Sequence, residues 1–237
     1  MKIIYSIIII FLFGSNAYSK DKYFGAPNKI TDWRISCSVD KGSIISNYPN
    51  YIFKTSKNYC QGGTYNQRAE IITRKALSLS TKAKYDFQTI FTFQDNSNNF
   101  YTEKFDIFQV HDGRHGCAPP LKVSIQSNGL LRLYADYKTG PGEQCERDVI
   151  KSSGLGKTQI KRDGIEYKLN VLLNFDGKSG FHVDVYLNDK LEVSGKYSPP
   201  TGNKYLASKY FYFKHGVYSA NKFDYVLKSK ILMKKIN

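Results

Sequence analysis

Apolar positions along this chain recur with a period of two, in short runs separated by turn residues, and this pattern predicts strands rather than helices. Arg68–Arg74 alternates so that Arg68, Glu70, Ile72 and Arg74 share one face. Phe105–His111 puts Gln109 and His111 on a common face, and the stretch 212–218 does the same for Tyr212, Lys214, Gly216 and Tyr218. Further strands are predicted at Trp33–Cys37, Tyr51–Phe53, Asp86–Gln94, Glu166–Phe175, Phe181–Leu187, Leu191–Tyr197 and Lys222–Lys235. Two more flank Asn128-Gly129, a strong hairpin signal. Loops are expected at 61–64 and 95–99, and 137–164 is the longest irregular stretch. No helical period of useful length follows residue 19, and neither a repeat nor a break in composition divides the chain. The pattern predicts an all-β protein, a sandwich or barrel, with residues 20–237 as a single domain, and a two-sheet jelly-roll sandwich fits this length. One curved sheet of such a sandwich offers a concave groove suited to an extended polymer.

The first nineteen residues read as a targeting segment, with Lys2 ahead of the apolar run Ile3–Phe13 and small residues near Ala17 and Ser19 for cleavage. That run is too short to span a bilayer, which takes about 20 residues. The mature chain is therefore expected to be exported, to the periplasm or beyond, with no stable membrane association. Cys37, Cys60, Cys117 and Cys145 all follow the segment, and an even count in an exported chain favours two disulfides over a metal site. Three connectivities are open; sequential closure, Cys37 with Cys60 and Cys117 with Cys145, makes the shortest loops.

A net charge of +15, one unit of it from Lys2 in the targeting segment, implies a polyanionic partner or surface. Nucleic acid, anionic lipid and acidic polysaccharide all satisfy it. Export and the absence of a binding motif argue against nucleic acid. Ser153–Thr158 superficially resembles a phosphate loop, but its first required glycine falls at Lys151 and the match fails.

Three segments carry the candidate chemistry. Arg68-x-Glu70, Gln109-x-His111 and Lys214-x-Gly216-x-Tyr218 each set polar groups along one strand face. Lys214 and Tyr218 are expected about 13 Å apart, at about 3.3 Å per residue. Gly216 between them would leave a bare patch of backbone able to seat one charged sugar ring. His111 on its own is more readily a structural histidine than a catalytic one, and the weight lies in the combination.

On these segments the chain resembles the jelly-roll polysaccharide lyases of the alginate lyase, glucuronan lyase and heparin lyase I type. Alginate lyases of this type carry Arg-(Ser/Thr)-Glu-Leu, Gln-(Ile/Val)-His and Tyr-Phe-Lys-Ala-Gly-x-Tyr-x-Gln strands. The matching stretches here are Arg68-Ala69-Glu70-Ile71, Gln109-Val110-His111 and Tyr212-Phe213-Lys214-His215-Gly216-Val217-Tyr218-Ser219-Ala220, in the same order. Pro119–Val123 and Gly180–Lys190 look closer to the heparin lyase I and glucuronan lyase branch. Ala69, His215 and Ala220 depart from the usual hydroxyl residue, Ala and Gln.

The resemblance implies a concanavalin A-like jelly roll and β-elimination across a 4-linked uronic acid. A base takes the proton at C5, negative charge grows on the C6 carboxylate, and the C4–O bond breaks. Donors aimed at that carboxylate are the essential aid. Arg68 and Gln109 take this role, with His111 adjoining and Glu70 holding Arg68. Tyr218 returns the proton to the leaving oxygen. It also removes the first proton if both steps use one side of the sugar; otherwise His111 is the base. Lys214, Tyr212, Arg74 and His215 are the expected substrate contacts. A free phenol ionises near pH 10, so a basic Tyr218 needs the positive charge of Lys214 and Arg68. The partner implied is an acidic polysaccharide, the chain is taken as a monomer, and no cofactor is expected. Some lyases of this kind hold a structural calcium, but no acidic cluster points to one here. A non-catalytic sugar-binding module on the same sandwich is the competing reading. A glycoside hydrolase would need two facing carboxylates, and Glu70 is the only acid in the three motifs.

Overall fold

The computed structural model describes residues 23–37, 39–58, 67–95, 103–202 and 205–237. The targeting segment, Cys60 and the expected loops at 61–64 and 96–99 lie outside the described residues, as does the Cys37–Cys60 pairing. The described chain forms two stacked antiparallel sheets and a small ribbon, with no helix.

One sheet has six strands, in the spatial order β1 (Trp33–Ile35), β4 (Gln67–Thr73), β15 (Tyr212–Ser219), β6 (Phe105–His111), β7 (Leu121–Ile125) and β8 (Leu131–Tyr134). The other has eight: β11 (Lys151–Ser152), β14 (Lys190–Tyr197), β13 (Phe181–Leu187), β12 (Asp163–Asp176), β5 (Lys82–Asp95), β16 (Tyr225–Ile236), β3 (Asn50–Lys54) and β2 (Ile44–Asn47). β9 (Tyr137–Lys138) and β10 (Cys145–Glu146) pair separately, within the stretch expected to be irregular. The Cys117–Cys145 disulfide, with Cα atoms 5.9 Å apart, staples that ribbon to the loop between β6 and β7. The hairpin at Asn128-Gly129 is present, and Gly129 makes the turn at φ 80°.

Period-two alternation sends one apolar face of each sheet into a shared core. Phe87 of β5 stacks on Phe108 of β6 at 4.5 Å, and Phe93 stacks on Phe105 at 4.6 Å, so aromatic pairs join the two sheets. Burying each such ring contributes about 1.5–3 kcal/mol. With its inner face committed to this core, the six-stranded sheet presents its polar positions on the opposite side.

Two irregularities set which side chains those are. Opposite β7, β6 carries an extra residue at Ile107, because Asp106 faces Ser124 while Phe108 already faces Val123. Phe105 and Phe108 therefore both point into the core, and Gln109 and His111 are turned outward. Counted strictly by twos from Phe105, they would have faced inward. Opposite β15 the register slips as well, from His215–Phe108 to Tyr218–Asp106. Gly216 absorbs the slip at φ 139°, and a Cβ there would lie 2.2 Å from the Ala69 carbonyl oxygen. The glycine is required by the close approach of β4. It is not the bare seat for a sugar ring that the sequence pattern had suggested.

Candidate active site

β4, β15 and β6 are adjacent, and their registers line up the three sequence segments. Tyr218 is paired with Arg68 on one side and Asp106 on the other, and Lys214 lies between Ile72 and Gln109. Gln109 in turn faces Lys122 of β7. The outer face thus carries one row through Arg68, Tyr218 and Asp106, and another through Lys214, Gln109 and Lys122. Arg68, Gln109, His111, Lys122, Lys214 and Tyr218 line a single pocket, walled by Cys117–Pro119, Glu143 and Arg147 from the stapled loops.

Glu70 lies beneath this pocket, 1 % exposed. Its Oε1 accepts the Gln109 Nε2–H at 2.7 Å. Its Oε2 lies 3.5 Å from Arg68 Nε and 3.9 Å from Lys214 Nζ. One buried carboxylate therefore orients three donors, where the sequence assigned it only Arg68. Burial lowers the Lys214 pKa and Glu70 opposes that shift.

The guanidinium of Arg68 sits 4.2 Å from the centre of the Tyr218 ring. Burial nonetheless raises the phenol's pKa, with Arg68 and Lys122 acting in the opposite direction and Glu70 adding to the rise. A basic Tyr218 was expected to need the positive charge of Arg68 and Lys214; Arg68 does act in that direction, but desolvation outweighs it and the phenol is neutral at pH 7.

His111 receives two backbone donors on Nδ1, from Asp112 N at 3.0 Å and Gly113 N at 3.4 Å. Burial and the charges of Lys214 and Arg68 push its pKa well below 6.5, so the ring is neutral. A neutral ring that accepts at Nδ1 carries its proton on Nε2. His111 thus offers the pocket an N–H donor rather than a lone pair.

Three expected substrate contacts fall elsewhere. Tyr212 does not line the pocket; its ring lies flat on His111, 4.9 Å away with planes 14° apart, and it holds the imidazole instead. Arg74 stands beyond the end of β4, is exposed and pairs with Asp32 at 3.0 Å. His215 is the clearest correction. It is fully buried between the sheets, edge-on to Phe53 at 5.4 Å. Its Nδ1–H donates to the Ile107 carbonyl at 2.9 Å, and its Nε2 accepts from Ser229 Oγ of β16 at 2.7 Å. Its neighbours Lys214 and Tyr218 face outward, and parity alone sends His215 into the core.

The sequence reading missed Lys122, Asp106 and Arg147. Lys122 pairs with Asp106 at 2.9 Å beside Tyr218. Alternation of Lys122 and Ser124 with Leu121, Val123 and Ile125 was the available signal. Arg147, held by Asp136 at 2.8 Å, comes from a loop without periodicity. The loop 153–158 does wrap an anion, but an internal one: Glu192 accepts the backbone N–H of Thr158 at 2.8 Å and that of Lys157. Among the described residues, no cluster of three or more His, Cys, Asp or Glu side chains is disposed to hold a metal, and no helix is long and apolar enough to cross a membrane.

No family model and no curated protein matches the chain. Solved structures do. A family 7 alginate lyase, A1-II′, in complex with substrate superposes at a TM-score of 0.57 and 12 % identity, over 88 % of this chain and 94 % of that one. An alginate lyase of Pseudomonas aeruginosa gives 0.54 at 13 % identity, over 82 % and 86 %. One from Klebsiella pneumoniae gives 0.52 at 13 %, over 84 % and 86 %. At these identities the likeness establishes the architecture, and this chain has the jelly-roll fold of the polysaccharide lyase family 7 alginate lyases.

Proposed function

We propose that the protein is an exported polysaccharide lyase that cuts a uronic-acid polymer such as alginate, glucuronan or a heparin-type chain by β-elimination. The observation that carries this reading is the convergence of Arg68, Gln109, His111 and Tyr218 on one pocket, on the fold of the alginate lyases. Gln109, Arg68 and the Nε2–H of His111 supply donors for the C6 carboxylate as its charge grows. With His111 a donor, Tyr218 is assigned both proton transfers. As phenolate it takes the C5 proton; the C5–H electron pair becomes the C4–C5 double bond. The C4–O pair leaves with the oxygen, which recovers the proton from Tyr218.

Substrate class, export and a monomeric working form belong to this proposal. Incubating the mature chain with alginate, glucuronan and heparin and following ultraviolet absorbance of C4–C5 unsaturated ends tests it. Absorbance growing with one of them is expected. Retention of a polymer with no absorbance would mark a binding module instead.

A further inference from the structure

Beside the pocket lies a second cavity, lined by Arg114, His115, Lys138, Leu206 and Lys209, which shares Gly116 and Glu143 with it as common wall. Lys138 is 8 % exposed, and its ammonium donates to the Gly142 carbonyl. The other buried cations each have a carboxylate: Arg114 has Asp112, Lys122 has Asp106 and Lys214 has Glu70. Among the described residues Lys138 has no carboxylate within ion-pairing distance. A lysine ammonium has three donors, and burying it without a counter-ion is costly. The desolvation is already met in the fold, so an anion arriving here gains a charge-assisted contact. Exposed Lys209 on the rim adds to that attraction, against Glu143 as the one acid in the lining.

We infer that this cavity is a second subsite, binding the carboxylate of a further acidic sugar residue in the same polymer chain, with Lys138 as its buried cation. The inference rests on the lyase reading for the identity of the neighbouring pocket. Occupancy of both cavities favours long chains over short fragments, because the second contact is intramolecular once the first has formed.

The test measures KM and kcat on sodium alginate, glucuronan and heparin, and on the shortest fragment cleaved, for the mature chain and the variants Lys138→Met, Lys138→Arg and Lys209→Glu. Lys138→Met and Lys209→Glu are each expected to raise KM on the polymer about tenfold, in keeping with the loss of one hydrogen bond to a charged group. Polymer kcat and activity on the short fragment stay unchanged, and Lys138→Arg retains most of the affinity. Unchanged KM in both, or equal losses on polymer and fragment, would overturn the subsite. If Lys138→Met does not fold, exposed Lys209→Glu carries the comparison. If the wild type cleaves nothing, the lyase reading falls, and retardation in an alginate-containing gel tests the cavity by itself. Weaker retardation of the variants than of the wild type then supports it; variants retarded as strongly as the wild type, or a wild type not retarded at all, refute it.

Discussion

The Glu70 carboxylate on β4 and the Gln109 amide on β6 meet at 2.7 Å across the intervening strand β15, where the register partner of Glu70 is Gly216. Glu70 also faces the charges of Arg68 and Lys214, so the pocket's donors share one buried anchor. Glu70→Gln should therefore act on fold and chemistry together. Breaking a buried charge pair from one side costs about 3–5 kcal/mol, which thermal or urea unfolding would register. Misaligned donors should lower kcat by about a hundredfold or more, as loss of one preorganised donor does elsewhere. Wild-type stability and turnover in this variant would remove Glu70 from its anchoring role.

Tyr218→Phe deletes one oxygen and leaves the ring under Arg68. Turnover should fall by about a thousandfold or more, within the reach of lost acid–base catalysis. Polymer binding, read by gel retardation, should change less than about threefold on this account, since no charged contact is removed. Substantial turnover by this variant would assign proton transfer to another group.

The pH profile follows from the raised pKa of Tyr218. A base must start deprotonated, so kcat/KM should climb about tenfold per pH unit through the neutral and mildly alkaline range. Protonation of His111 lies well below 6.5 and adds no limb there. A flat profile between about pH 7 and pH 9 would mean that Tyr218 serves only as the acid.

His215 gives stability its own pH dependence. Burial holds its pKa down at about 4, against 6.5 when unfolded. Between those values the unfolded chain binds the extra proton, so this contribution is complete above pH 6.5 and is lost as pH falls towards 4. The loss should approach about 3 kcal/mol, at 1.36 kcal/mol per unit. Chemical denaturation at a series of pH values checks it, and a slope that persists in His215→Gln would place the titration elsewhere.

Much of this was legible in the sequence because period-two alternation is set by strand geometry. It grouped Gln109 with His111 and Lys214 with Tyr218, and the structure sets Arg68 and Glu70 beside them. It failed where geometry departs from the period. Sequence alone did not reveal the extra residue at Ile107, and the glycine needed at Gly216 was taken for a ligand feature. His215 was placed among substrate contacts by its chemistry, although parity sent it to the core, where it satisfies the Ile107 carbonyl. Arg147 and Lys138 reach the cavities from a loop and from the short β9–β10 ribbon, whose position depends on the Cys117–Cys145 staple rather than on any local pattern.

The central claim is that the pocket breaks a sugar chain by elimination, and the masses of the products test it most directly. Mass spectrometry of fragments released from alginate, glucuronan or heparin should find each new non-reducing end lighter by one water than a hydrolytic end. Fragments of hydrolytic mass, or no fragments from any of the three, would contradict the account.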